Sequence, residues 1–176
     1  MGITLVEYFS KKIENKINEL SNYYIEIGVF SAETNRKEKV KLNLNGSIEN
    51  EGVTNAQLMY IHEKGSPIRN IPRRPVLEMT LDWVKKNNLI TTTVTKALAK
   101  YIQSNFKENL FETYLERLCV RMENYAKNII YSNDGRLAPN SPTTIKRKGS
   151  DAPLLDTGQL ARSITCRLLK YNIKRR

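Results

Sequence analysis

The chain has 176 residues, 40% apolar and 27% charged, which is long enough to bury a real core and reads as one folded domain. Its 29 Lys and Arg against 18 Asp and Glu give a net charge of +11, and two cysteines with one histidine exclude a disulfide-stapled domain and a four-ligand Cys/His zinc site. No stretch approaches the ~18 consecutive apolar residues of a membrane span, and no basic cap precedes an apolar run at the start, so neither a membrane nor a secretory leader is expected.

In chain order, Leu5, Phe9, Ile13, Ile17 and Leu20 recur at steps of four and three, which predicts an amphipathic helix over 4–20 with one buried stripe. Thr4 and Glu7 have the spacing of a capping box. Ile25, Ile27 and Val29 alternate in a β-branched, aromatic segment and predict a strand over 23–30. Val40, Leu42 and Leu44 alternate with polar residues ahead of Asn45-Gly46, which predicts a hairpin arm over 38–50. Such an arm is too small to be stable alone, so it is expected to pack on a neighbouring subunit.

A short helix over 55–64 should end at Gly65, and a loop over 66–75 follows, in which Pro72 and Pro75 hold Arg73-Arg74 extended. From Val76 to Asp134 there is no Gly and no Pro, the most helical region of the chain. One helix is expected from Val76 to about Asn88, a junction or helix start at Thr91–Thr95, and a long helix over 110–131 carrying a stripe from Leu110 to Ile130. Residues 132–153 read as a long basic loop with one helical turn at Thr143–Arg147. Asp156, with Gln159 three residues on, reads as the cap of a short helix, and an extended segment follows over 165–173. The whole reads as a single α+β domain over 1–176, a small, mostly antiparallel sheet packed against two or three helices.

The chain offers little chemistry. His62 is the only partner for a nucleophile, and no strand–Gly-x-Ser-x-Gly–helix arrangement accompanies it, so a packing or hydrogen-bonding histidine is expected. Cys119, beside an apolar stripe, and Cys166 are expected to be inert small hydrophobes. No phosphate loop is present, because Lys146-Arg147-Lys148-Gly149-Ser150 lacks the required spacing. The expectation is no catalytic residue, no cofactor and no metal. The charge is concentrated: residues 136–176 hold ten basic side chains against Asp151 and Asp156, and Lys64, Arg69, Arg73 and Arg74 form a second cluster. Two readings stay open, contact with nucleic acid or an acidic protein surface, and a solvated basic face.

Three segments carry a resemblance. Leu137-Ala138-Pro139-Asn140-Ser141-Pro142-Thr143-Thr144-Ile145-Lys146-Arg147-Lys148-Gly149 resembles the W-x-P-L-S-P-x-T-x-x-R-K-G stretch of Mu-type phage virion morphogenesis proteins. Pro153 to Ile164, with Thr157-Gly158-Gln159-Leu160 and Ser163-Ile164, is similar to their P-L-x-x-T-G-x-L-x-x-S-I. Tyr60-Ile61-His62-Glu63-Lys64-Gly65 followed by Ile71-Pro72-Arg73-Arg74-Pro75-Val76-Leu77 resembles their Y-A-x-x-H-E-x-G … I-P-A-R-P-F-L, and also segments of head–tail joining and tail completion proteins of other tailed phages. Leu137 stands where the pattern has Trp and Asn140 where it has Leu, and the Thr-Gly segment follows the His-Glu segment here instead of preceding it.

The resemblance implies a non-enzymatic protein of the neck or tail end, which caps the tail tube or joins tail to head. It would act as a ring-shaped homo-oligomer, a hexamer by expectation, in contact with tube and neck proteins and built in the bacterial host cytoplasm. The motif residues would then be structural: His62, Glu63, Gly65, Pro72, Pro75, Thr157, Gly158, Leu160, Ser163 and Ile164. Subunit or partner contacts are expected from Arg73 and Arg74 toward neighbouring carboxylates, from Val40, Leu42 and Leu44, and from Lys146, Arg147 and Lys148 on a loop that orders on docking. The rival reading is a basic nucleic-acid-binding module, with no membrane contact in either case.

Overall fold

The computed structural model describes residues 4–30, 53–106 and 110–171. Among these are seven α-helices, one 3₁₀ turn and a two-stranded antiparallel sheet, an α+β fold in which the sheet lies against helices. The predicted hairpin arm lies outside the described residues.

Helix α1 (Leu5–Leu20) starts as the sequence requires: the Thr4 hydroxyl accepts from the Glu7 amide, and the Glu7 carboxylate accepts from the Thr4 amide. Its expected buried stripe is only partly covered. Leu5 is 72% exposed and Ile17 50%, whereas Lys16 is buried, its ammonium 5.5 Å from the centre of the Tyr101 ring and 5.6 Å from that of Phe111. A lysine stem covers aromatic surface while its tip pairs with Glu19 at 2.9 Å, which a count of apolar positions does not foresee. Strand β1 (Tyr23–Gly28) pairs antiparallel with β2 (Thr165–Lys170), Tyr23 opposite Lys170 and Gly28 opposite Thr165.

Helix α2 (Asn55–Lys64) opens on a second capping box, Thr54 with Gln57, and ends at Gly65. After the 3₁₀ turn Pro67–Arg69, helix α3 (Val76–Lys86) and helix α4 (Leu89–Gln103) are separated by Asn88 in the left-handed region (φ 48). The junction therefore falls at Asn87-Asn88, and Thr91–Thr95 lie inside α4. Helix α5 (Leu110–Tyr131) buries Phe111, Leu115, Leu118, Met122, Ala126, Ile129 and Ile130, the stripe its 3.6-residue period predicts.

This stripe organises the core. The N-terminal half of α5 meets α4 through Phe111, Ala97 and Tyr101. The middle meets α3 and the sheet through Leu118, Met122, Val84, Ile25 and Ile27, and Trp83 stacks on Tyr125 at 4.2 Å. The C-terminal half meets Met59 of α2, Val76 of α3 and the segment 137–164 through Ala126, Ile129 and Ile130.

The expected loop 132–153 is tied down along its length. It carries helix α6 (Pro142–Lys148), with Ser141 as cap accepting from the Thr144 amide and Pro142 in the first turn. Leu137, in place of the pattern's Trp, is 6% exposed in the core beside Met59 and Leu160. Helix α7 (Gln159–Arg162) is not capped by Asp156. Gly158 precedes it at φ 74, and the Thr157 hydroxyl accepts from the Gln159 amide at 3.4 Å. The Asp–Gln spacing fits a capping box, but the left-handed turn at Gly158 changes the entry direction of the chain.

Candidate functional site

Two of the segments that carry the resemblance, 60–77 and 137–149, are far apart in sequence and meet around one guanidinium. Arg74 is 5% exposed. Its Nε donates to the Ala138 carbonyl at 2.7 Å and its Nη2 to the Pro139 carbonyl at 2.8 Å. Its Nη2 also reaches Asn140 Oδ1 at 3.4 Å, and its Nη1 lies 3.3 Å from His62 Nδ1. The Arg74 amide donates to the His62 carbonyl at 2.7 Å. This corrects the expectation that Arg73 and Arg74 stand together on a surface. The two prolines do stiffen the dipeptide, but consecutive side chains on extended backbone point to opposite sides. Arg74 turns inward and commits its Nε and Nη2 to the fold. Arg73 turns outward, donating to the Glu63 carbonyl at 3.0 Å and pairing with Glu78.

Glu63 has a specific structural task. Helix α3 begins at Pro75 without a side-chain cap of its own. The Glu63 carboxylate supplies it from α2, accepting from the Leu77 amide at 3.0 Å and the Glu78 amide at 2.8 Å. Gly65, at φ 73, lets the chain double back: a Cβ there would stand 3.1 Å from both the Arg73 nitrogen and the Ile71 carbonyl oxygen. Ser163 is buried with its hydroxyl on the Leu160 carbonyl at 2.8 Å, and Ile164 is 0% exposed. Pro75 is the N-cap residue of α3, which starts at Val76 as the sequence predicts.

Between α2, the 3₁₀ turn, α6 and the start of α7 lies a cleft of about 590 Å³. His62, Pro72, Arg74, Arg147, Lys148, Thr157, Gly158 and Leu160 line it, all residues marked in the sequence. Arg69, Asn55, Asn70, Asn140, Asp156 and Gln159 complete its charged and amide lining. Four cations thus face one carboxylate. Burial and the charges of Arg74 and Lys148 hold His62 down to about 4, so it is neutral near pH 7. Burial also lowers Lys148, with Arg74 and Arg147 adding to the effect against Asp156, which favours its charge, and its ammonium donates to the Ala152 carbonyl at 2.9 Å.

Asn140, where the pattern has Leu, ties the floor together. Its amide nitrogen donates to the Asp151 carbonyl at 3.0 Å and the Ala152 carbonyl at 3.2 Å, while its oxygen faces Arg74. Lys146 is exposed and does not line the cleft, and Val40, Leu42 and Leu44 lie outside the described residues. Nothing in the sequence marks Asn55. It is 5% exposed, and its Oδ1 has no hydrogen-bond partner among the described residues.

Cys119 and Cys166 are free thiols brought within hydrogen-bond reach of each other by α5 and β2, a neighbour relation that their spacing in sequence hides. That contact lowers Cys119 and, together with burial, raises Cys166. Among the described residues no group of three or more His, Cys, Asp or Glu gathers as metal ligands, and no helix is long and apolar enough to cross a membrane.

Apolar surface is concentrated elsewhere. Ile68, at the tip of the 3₁₀ turn, is 98% exposed. Tyr60 lies outward on α2, beside Val53 and Ile61, in a shallow depression of about 510 Å³. Leu5, Val6 and Tyr8 are exposed on α1. No protein-family model, no curated protein and no solved structure matches this chain.

Proposed function

We propose that the protein is a structural subunit of a tailed-phage neck or tail end, capping the tail tube or joining tail to head. It acts through contacts with copies of itself and with neighbouring particle proteins, and it performs no chemistry of its own. The observation that carries this reading is the knot around Arg74. Segments 60–77 and 137–149 interlock where Arg74 holds Ala138 and Pro139, Glu63 caps helix α3 within the first, and Leu160 and Ile164 of the third share a core with Val76 and Leu137. Residues with shared motif positions thus have a shared architectural task. The exposed Ile68, Tyr60, Leu5 and Val6 supply unpartnered apolar surface of the kind that subunit contacts cover.

The test is the mass of the purified protein in the absence of nucleic acid, by light scattering across a concentration series. A closed oligomer of fixed copy number is expected, with six subunits the first expectation, and Ile68→Asp should shift it toward monomer. A protein that stays monomeric at every concentration, yet binds duplex DNA with an affinity falling steeply in salt, would overturn the proposal in favour of a nucleic-acid module.

A further inference from the structure

The cleft between α2, α6 and α7 has a chemistry that ring formation does not require. We infer that it is a receptor for an extended acidic peptide segment of a different protein. Arg69 and Arg147 are exposed at the cleft, and neither makes an ion pair among the described residues. Lys148, half-buried, also lines the cleft and donates to the Ala152 carbonyl. Guanidiniums placed this way accept carboxylates in a bidentate fork, and the rigid wall behind them reduces what must be ordered on binding.

The remainder of the lining selects a peptide over a bare anion or a nucleic-acid strand. Asn55, Asn70 and Gln159 bring amide groups to the cleft, which both donate and accept as peptide backbone does. Asn55 Oδ1 is buried and lacks a donor among the described residues. A phosphodiester or a carboxylate has no proton to give it, whereas a peptide N–H has. Leu58, Ile71 and Leu154 offer apolar contact to side chains between the acids, which a bare anion or a sugar-phosphate backbone does not use.

A second copy is a poor occupant. The chain carries +11, and its acidic residues alternate nowhere beyond the single pair Glu49 and Glu51, so it has no acidic run longer than that to offer. The partner is therefore an acidic segment of another chain, and the inference stands apart from the oligomeric state.

The experiment is fluorescence anisotropy with the full chain at ~150 mM salt, where long-range attraction is screened. The probe is a labelled peptide of about eight residues, long enough to span the cleft when extended, in which aspartates alternate with alanine and leucine. The competitors are an oligothymidylate of equal charge, inorganic phosphate, and a peptide with lysine in place of aspartate. Saturable binding of the acidic peptide is expected, weakened about tenfold each by Arg69→Ala and Arg147→Ala, the scale of one charged hydrogen bond, and unmoved by Lys85→Ala with Lys86→Ala on α3. Both cleft variants remove exposed side chains, so a thermal melt matching the parent shows that the fold persists. Oligothymidylate or phosphate displacing the peptide at equal concentration would overturn the inference, showing a cleft for anions in general. So would an affinity unchanged in both variants, or no binding.

Discussion

Arg74→Ala is the substitution that most directly tests the architecture. The side chain is 5% exposed and gives two short hydrogen bonds, 2.7 Å to the Ala138 carbonyl and 2.8 Å to the Pro139 carbonyl. Bonds from a charged donor contribute about 1.5–3 kcal/mol each, so losing both costs ~3–6 kcal/mol. Against this stands the cost of keeping a guanidinium out of water, which is also what lowers the Arg74 pKa. A net loss of about 2–4 kcal/mol follows, a large part of the ~5–15 kcal/mol that holds a typical domain. Urea unfolding followed by circular dichroism reads it directly, and limited proteolysis should show earlier cutting at Arg136 and Lys146. Arg74→Lys should recover only part, because an ammonium cannot reach two carbonyls in a fixed fork. Arg73→Ala is the contrast: its pair with Glu78 is half exposed, and its loss should cost under ~1 kcal/mol. If Arg74→Ala unfolds within about 0.5 kcal/mol of the parent, the guanidinium does not hold the segments together and the reasoning fails.

Two further outcomes follow from the same knot. Glu63→Gln keeps the shape but removes the charge that faces two amides at the start of α3, so stability should fall by about 1 kcal/mol in the same urea assay, with Glu63→Ala costing more. His62 titrates at about 4 in the fold against 6.5 unfolded, so the unfolded chain takes up the proton first, and its contribution makes stability fall as pH drops from about 6.5 toward 4. With solvent screening discounted, that loss is about 1–2 kcal/mol, and His62→Gln should flatten the pH profile of the unfolding midpoint over this window.

Helices with a clean period were legible before any coordinates. Helix α5 runs from Leu110 to Tyr131 as its stripe predicts, because a 22-residue amphipathic pattern leaves few alternatives. Thr4 with Glu7 is a local device and could be read locally. Arg74 was not, since its partners Ala138 and Pro139 stand 64 and 65 residues away and nothing near it in sequence signals which way it turns. Asp156 has the right neighbour for a cap, yet the backbone at Gly158 decides the helix start. On α1 the period was right, but which side chains it would cover depended on Tyr101 and Phe111 and on the reach of Lys16. The cleft itself combines both cases: its cations stand out in the sequence, while Asn55 and Asn140 acquire their meaning only from what surrounds them.

The pairing of β1 with β2 also fixes an order of events during folding. Lys170 grips Glu19 at 2.7 Å across a separation of 151 residues. Closing a loop of that length costs about 4 kcal/mol of chain entropy, and a two-stranded ribbon alone does not repay it. The ribbon gains its footing on α5, where Glu123 accepts from the Cys166 amide at 3.1 Å and Ile25, Ile27 and Cys166 pack beside Leu118 and Met122. Helix α5 must therefore be formed before the strands can meet. During synthesis on a ribosome, α1 and β1 emerge first and wait without a partner until residues 165–170 have followed. Through that interval the exposed Leu5, Val6 and Tyr8 are accompanied by the uncovered face of β1, so the newly made chain carries an adhesive surface on α1 and β1 until β2 arrives.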